Sequence, residues 1–219
     1  VIDITIAQET YGLWQKKRPQ KNGEKMGDRP ALFFLDFETS GLDCERHGII
    51  QAGWIVEEDG KITSEMGFDV QLYRGCDINP IALEVNDFSL DRCMAGKPLE
   101  MMTAALRGAL AVGFTQKVIP VGHRISFDLG FFREACEKTR DNLNIFVDFG
   151  AQVDTLGLAQ WLNHAGIIKT KNNKLETLCE YFGIKIDAHD AISDVRAARQ
   201  LYHIFMDYMG RMPKIEIKE

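Results

Sequence analysis

Residues 31–37 read Ala-Leu-Phe-Phe-Leu-Asp-Phe, an apolar run interrupted only by Asp36. Apolar side chains at both odd and even positions leave no strand face for water. Such a strand belongs inside a sheet covered on both sides by helices. Ile49–Val56 reads as a second strand, and Gly60 with Lys61 marks a hairpin-like turn into a third, Ile62–Tyr73. Pro98 opens a helix in which Leu99, Met102, Leu106 and Leu110 recur at helical spacing. Val118–Val121 and Ile145–Phe149 read as short strands on either side of a helix over Phe127–Lys138. Three more helices follow, over Thr155–Asn163, Lys174–Phe182 and Asp190–Met209. Strands first, then helices alternating with short strands, predict an α/β fold with a mixed sheet and one antiparallel hairpin region. No internal repeat interrupts this order. The chain divides into an extension over 1–29, one domain over 30–210 and a tail over 211–219.

The chemistry begins where the first strand ends, at Asp36-Phe37-Glu38-Thr39-Ser40-Gly41-Leu42. Residues i and i+2 of a strand share a face, so Asp36 and Glu38 point to one place while Phe37 packs into the core. Two acids side by side at the end of a buried strand are costly unless a positive charge joins them. Oxygen ligands favour a hard divalent cation such as Mg²⁺ or Mn²⁺. Gly41 permits a tight turn that a ligand backbone can approach. Asp-x-Glu alone is a common triplet, and two further signals give it meaning.

One is Gly122-His123-Arg124-Ile125-Ser126-Phe127-Asp128, which follows a short apolar strand and leads into a helix. It places Asp128 near a strand end too, although an acid there also suits a helix N-terminus. The other is His189-Asp190-Ala191-Ile192-Ser193-Asp194, ahead of a long amphipathic helix. On one continuous helix His189 and Asp194 would lie about 140° apart. They converge only if His189 sits on the turn before the helix, which also leaves its imidazole mobile enough for proton transfer. Asp190 or Ser193 also reads as a simple helix cap, with His189 on the surface.

Taken together, Asp-x-Glu, Asp128 and His-x4-Asp resemble the DEDDh, or DnaQ-like, family of 3′–5′ exonucleases in order, spacing and surroundings. This group includes the proofreading subunit of bacterial DNA polymerase III and RNase T. The resemblance covers about residues 30–209. Further matches are Val153-Asp154-Thr155, Lys174-Leu175-Glu176-Thr177-Leu178-Cys179 and Asn79–Asn86. It implies an RNase H-like fold with a central five-stranded mixed sheet. It also implies two Mg²⁺ ions, replaceable by Mn²⁺, held by Asp36, Glu38, Asp128 and Asp194, with His189 as general base. The implied product is a nucleoside 5′-monophosphate released from the 3′ end of DNA, single-stranded or frayed. The motif around His123 usually reads His-Asn-x-x-Phe-Asp, and Arg124 here replaces the Asn, where it suits a phosphate contact.

Candidate substrate contacts are Thr39, Gly41 and Leu42 after the acid pair, His123, Arg124 and Phe127, and Lys171 and Lys174 of the basic stretch 169–174. For Phe127 a core role is the stronger reading, and for the lysines a solvated loop is the plainer one. The family leaves two other readings open, an exoribonuclease on RNA ends or short oligomers, and a binding module that has lost catalysis.

The formal charge of −6 excludes a grossly basic DNA-coating protein but not a nuclease, because bound cations neutralise clustered acids. Within 15–29, six basic residues against two acidic ones read as a solvated linker or as an arm for phosphates or a protein partner such as a polymerase. A homodimer is a further possibility raised by the family. Five scattered cysteines without a CxxC pair argue against a disulfide framework or structural zinc, and fit a reducing, cytoplasmic setting. No apolar run reaches membrane-span length, and residues 1–17 lack the pattern of a secretory leader, so neither a membrane partner nor a leader is expected.

Overall fold

The apolar run becomes the middle strand of a five-stranded mixed sheet. The structure, a computed structural model, describes residues 29–111 and 116–211; the extension over 1–28 and the tail over 212–219 lie outside the described residues. The strands are β1 (Leu32–Thr39), β2 (Ile49–Glu58), β3 (Lys61–Asp69), β4 (Ile119–Gly122) and β5 (Val153–Asp154), in the order β3-β2-β1-β4-β5. β1, β2 and β3 form an antiparallel meander, and β4 and β5 add in parallel on the other side of β1. The helices are α1 (Pro80–Val85), α2 (Leu90–Ala95), α3 (Leu99–Leu110), α4 (Ile125–Thr139), α5 (Thr155–His164), α6 (Leu175–Phe182) and α7 (Ala191–Gly210).

β1 is buried on both faces, as its composition requires. Phe33, Leu35 and Phe37 join the core built with α3 and α4. Phe34, facing the other way, packs with Ile55, Val121, Val195 and Tyr202 beneath α7. Each such side chain contributes about 1.5–3 kcal/mol by leaving water. The same alternation carries Asp36 and Glu38 onto the Phe34 face. A bulge between Glu38 and Thr39 then shifts the register against β2, so that Thr39 stands opposite Ile49.

α7 starts directly over that point. Its approach depends on glycines in the strands below: a Cβ at Gly53 would lie 2.5 Å from the carbonyl carbon and oxygen of Ala191, and one at Gly67 would lie 2.7 Å from Cβ of Ile192. Asp190 caps the helix by accepting from the Ser193 amide. Asp154 does the same for α5 through the Leu156 amide.

One expected strand is absent. Residues 143–145 form a 3₁₀ turn, and Val147 makes a single bridge to Val118. Phe146 and Phe149 instead pack sideways onto the α3–α4 core. The fifth strand is Val153–Asp154, two residues long, too short to leave a periodic signal. α1 and α2, six residues each, are likewise too short to show one. No helix among the described residues is long and apolar enough to cross a membrane.

Candidate active site

Three carboxylates converge where β1 ends and α7 begins. One oxygen each from Asp36, Glu38 and Asp194 lies within 4.8 Å of the others. Glu38 is buried, and Asp36 and Asp194 are partly so. Asp194 Oδ1 is buried and has no hydrogen-bond partner, while the Asp194 carboxylate accepts from the backbone of His189.

Asp128 sits beneath this cluster rather than in it. It is 3% exposed, and its Oδ1 accepts from the Phe37 amide at 2.9 Å. The contact ties the first turn of α4 to β1 between the two acids. Burial drives the Asp36 carboxyl well above the usual carboxylate range, with Asp128, Asp194 and Glu38 adding repulsion. Asp128 is also driven up by burial, opposed by its backbone hydrogen bonds. Burial raises Glu38 against the pull of His189, and burial plus Glu38 push Asp194 up to about 8. Four buried or partly buried acids, an all-oxygen donor set and an orphaned Asp194 oxygen fit a hard divalent cation.

His189 occupies the turn before α7, as the convergence argument requires, in the left-handed region at φ 66°. Its Nε2 is 3.9 Å from Glu176 Oε1, and its side chain is 40% exposed, so the ring reaches solvent.

The substrate candidates separate. A cleft of about 490 Å³ opens beside Asp36 and Asp194, and its walls include His123, Arg124, Gln160, Lys174 and Glu176. Arg124 is exposed at φ 68°, and its backbone amide donates to Asp154 Oδ1, which holds the loop. His123 has both ring nitrogens engaged, with Thr155 Oγ1 and the Asn173 carbonyl at 3.0 Å, so it fastens the basic loop to α5. Burial lowers its pKa. Lys171 is absent from the cleft wall and faces Glu180 at 3.8 Å. Phe127 is half-buried against Phe131 and the core. Thr39 is buried, donating to the Gly41 carbonyl. Leu42 is 81% exposed beside it. The room left at Gly41 is filled from within, because a Cβ there would lie 2.1 Å from the His47 ring.

Sequence reasoning matched Asn79–Asn86 to the family but did not place it against the end of β1. Both ends of α1 dock onto the end of β1: the amide of its N-cap Asn79 donates to the Ser40 carbonyl, and Nδ2 of its C-cap Asn86 to the Thr39 carbonyl. α1 itself presents exposed Ile81 and Val85. Gln51 was also missed; its signal was a lone amide inside the apolar β2.

A sequence model of the RNase_T exonuclease family matches residues 33–202. The chain belongs to this exonuclease family. Ribonuclease T of Actinobacillus pleuropneumoniae is 25% identical over 181 residues, covering 77% of this chain and 79% of that protein. The PolC-type DNA polymerase III of Thermotoga petrophila is 25% identical over 194 residues, covering 88% of this chain but only 13% of the polymerase. Among solved structures, exonuclease I of Methylocaldum szegediense superposes with a TM-score of 0.71 at 17% identity, covering 84% of this chain and 42% of that one. Exonuclease I of E. coli, solved with a dT13 oligonucleotide, gives 0.65 at 17%, covering 81% and 41%. The exonuclease fold is thus the RNase H-like one expected, and this chain spans less than half of those solved chains.

Proposed function

We propose that residues 30–210 form a divalent-metal-dependent 3′–5′ exonuclease of the DEDDh type, releasing nucleoside 5′-monophosphates from single-stranded or frayed DNA. The observation that carries this reading is the convergence of Asp36, Glu38 and Asp194 within 4.8 Å, with an unpartnered buried oxygen and a partly exposed histidine on the turn before α7. Two Mg²⁺ ions, or Mn²⁺ in their place, would there supply an activated water and offset charge on the leaving oxygen.

The chain's own residues do the rest. Asp36, Glu38 and Asp194 would hold the cations. Asp128, fixed to the Phe37 amide, locks α4 to β1 and would add a fourth carboxylate to the set that holds the ions. His189 takes the proton of the attacking water and passes it to solvent. Arg124 and Lys174 attract strand phosphates into the cleft. Leu42, beside the buried Thr39, gives the terminal nucleotide an apolar surface.

A second reading keeps the chemistry and changes the polymer. The Ribonuclease T relative is matched over most of its own length, which favours RNA ends. The test uses 5′-labelled DNA and RNA of one sequence, with free or blocked 3′ ends, in Mg²⁺, Mn²⁺ or EDTA. A metal-dependent ladder on unblocked strands supports the exonuclease, and the rate ratio assigns the polymer. A folded protein that binds DNA but shortens nothing would leave a binding module instead.

A further inference from the structure

Gln51 is 6% exposed in the middle of an apolar strand, and every polar atom of its amide is used. Nε2 donates to Asp69 Oδ1 and to Asp190 Oδ1, each at 3.1 Å. Oε1 accepts from the Ala191 amide at 2.8 Å. The sheet register explains the reach. Gln51 stands opposite Glu38 on β1 and opposite Asp69 on β3, so the three side chains form one row across the sheet. Arg92 of α2 closes the far end of the row, donating Nε to Asp69 Oδ2 at 2.7 Å and stacking on Phe88.

The near end is the turn that bears His189. Asp190 follows it directly and uses its second oxygen to cap Ser193. Asp194 N donates to the Asp190 carbonyl, so the same residue fixes the first turn that carries Asp194. His189 itself adopts a left-handed backbone that a non-glycine residue keeps only when its surroundings over-determine it. An apolar side chain at this position would make none of these bonds. The amide adds a fixed location for the start of α7 relative to Glu38.

We propose that Gln51 is a positioning residue of the exonuclease: through Asp190 and the Ala191 amide it sets the registration of His189 and Asp194 against Asp36 and Glu38, with Asp69 and Arg92 as its outer anchor. The inference rests on the nuclease reading above. It acts on catalysis and not on substrate capture, because Gln51, Asp69, Arg92, Asp190 and Ala191 all lie off the cleft wall. A small misplacement of reacting groups is enough to slow a reaction strongly.

The test compares Gln51→Met, Asp190→Ala and the double variant by steady-state rates on a 5′-labelled oligonucleotide, and by amide hydrogen exchange at Ala191 and Ser193. The expected result for Gln51→Met is a fall in kcat of about tenfold or more, with KM within about twofold and faster exchange at both amides. The double variant is expected to lose less than the product of the two single losses, because Gln51 and Asp190 share a contact. A kcat near wild type in folded Gln51→Met, a loss appearing in KM alone, or single losses that multiply would overturn the proposal. If Gln51→Met does not fold, Arg92→Met at the more exposed end decides: a lowered kcat at constant KM supports the row, and an unchanged kcat rejects it. Should the wild type hydrolyse neither DNA nor RNA, the nuclease reading fails by itself. The exchange rates then still judge the hold of Gln51 on α7, and unchanged exchange would reject it.

Discussion

Burial pushes the Asp36 carboxyl upward, and four acidic neighbours, Asp128, Asp194, Glu38 and Asp190, add to it. Such a group is kept against its own stability cost. Asp36→Asn removes one charge from the cluster and leaves the side-chain shape intact. Two opposite outcomes follow. Hydrolysis should fall at least about 10²-fold, the scale seen when one preorganised electrostatic group is lost. The metal-free protein should melt higher, by about 2–4 °C if the relieved repulsion is worth about 1 kcal/mol. Activity assays and thermal melts in EDTA check the pair. A variant that loses activity and also melts lower in EDTA would mean that Asp36 is a structural residue.

Among the elements, α7 gives the clearest case of what the sequence did and did not disclose. Its amphipathic length was legible, and the convergence of His189 with Asp194 demanded a turn before it, which is where the turn lies. The i, i+2 placement of Asp36 and Glu38 was legible for the same reason: strand geometry is local. What holds α7 down was not legible. Gly53 lies opposite Asp36 and opposite Gly67, and reads in sequence as a weak strand position. Only the tertiary packing shows that its missing side chain admits the Ala191 backbone. The same limit hid β5 and the loss of the 145–149 strand, where apolar residues pack sideways rather than pair. Gly53→Ala should therefore lift the start of α7, costing about 1–3 kcal/mol as overpacking does and lowering kcat about tenfold or more through displaced His189 and Asp194. Denaturant melts and steady-state kinetics check this. A stable variant with normal kcat would show that the helix start tolerates displacement.

For the whole molecule, α7 is fastened to β2 at two ends of opposite electrostatic character. At the far end Glu57, 2% exposed, meets Arg199 Nε at 2.7 Å and His203 Nε2 at 2.9 Å. Burial pushes the Glu57 carboxyl up, but His203 and Arg199 outweigh it and hold it below its ordinary value. Its contribution to stability is therefore present above pH 4.5 and is lost as pH falls through the lowered value. At the catalytic end the sign reverses. Asp194 has an unfolded value near 3.8 and a folded value of about 8, so the folded state binds more protons across that window. Stability from that end is full below 3.8 and lost as pH rises through about 8. The metal-free protein should accordingly be most stable on the acid side of neutrality and melt progressively lower from pH 5 to pH 8. Cations compete with protons for the same oxygens, so added Mg²⁺ or Mn²⁺ should raise the melting temperature more at pH 8 than at pH 5. Melts across that range, with EDTA or with metal, provide the measurement. Asp194→Asn should flatten the metal-free slope, whereas Arg199→Leu should lower stability by about 3–5 kcal/mol, as a buried charge left without its partner does. A metal-free melting temperature that rises between pH 5 and pH 8 would contradict the repulsive cluster on which the catalytic reading depends.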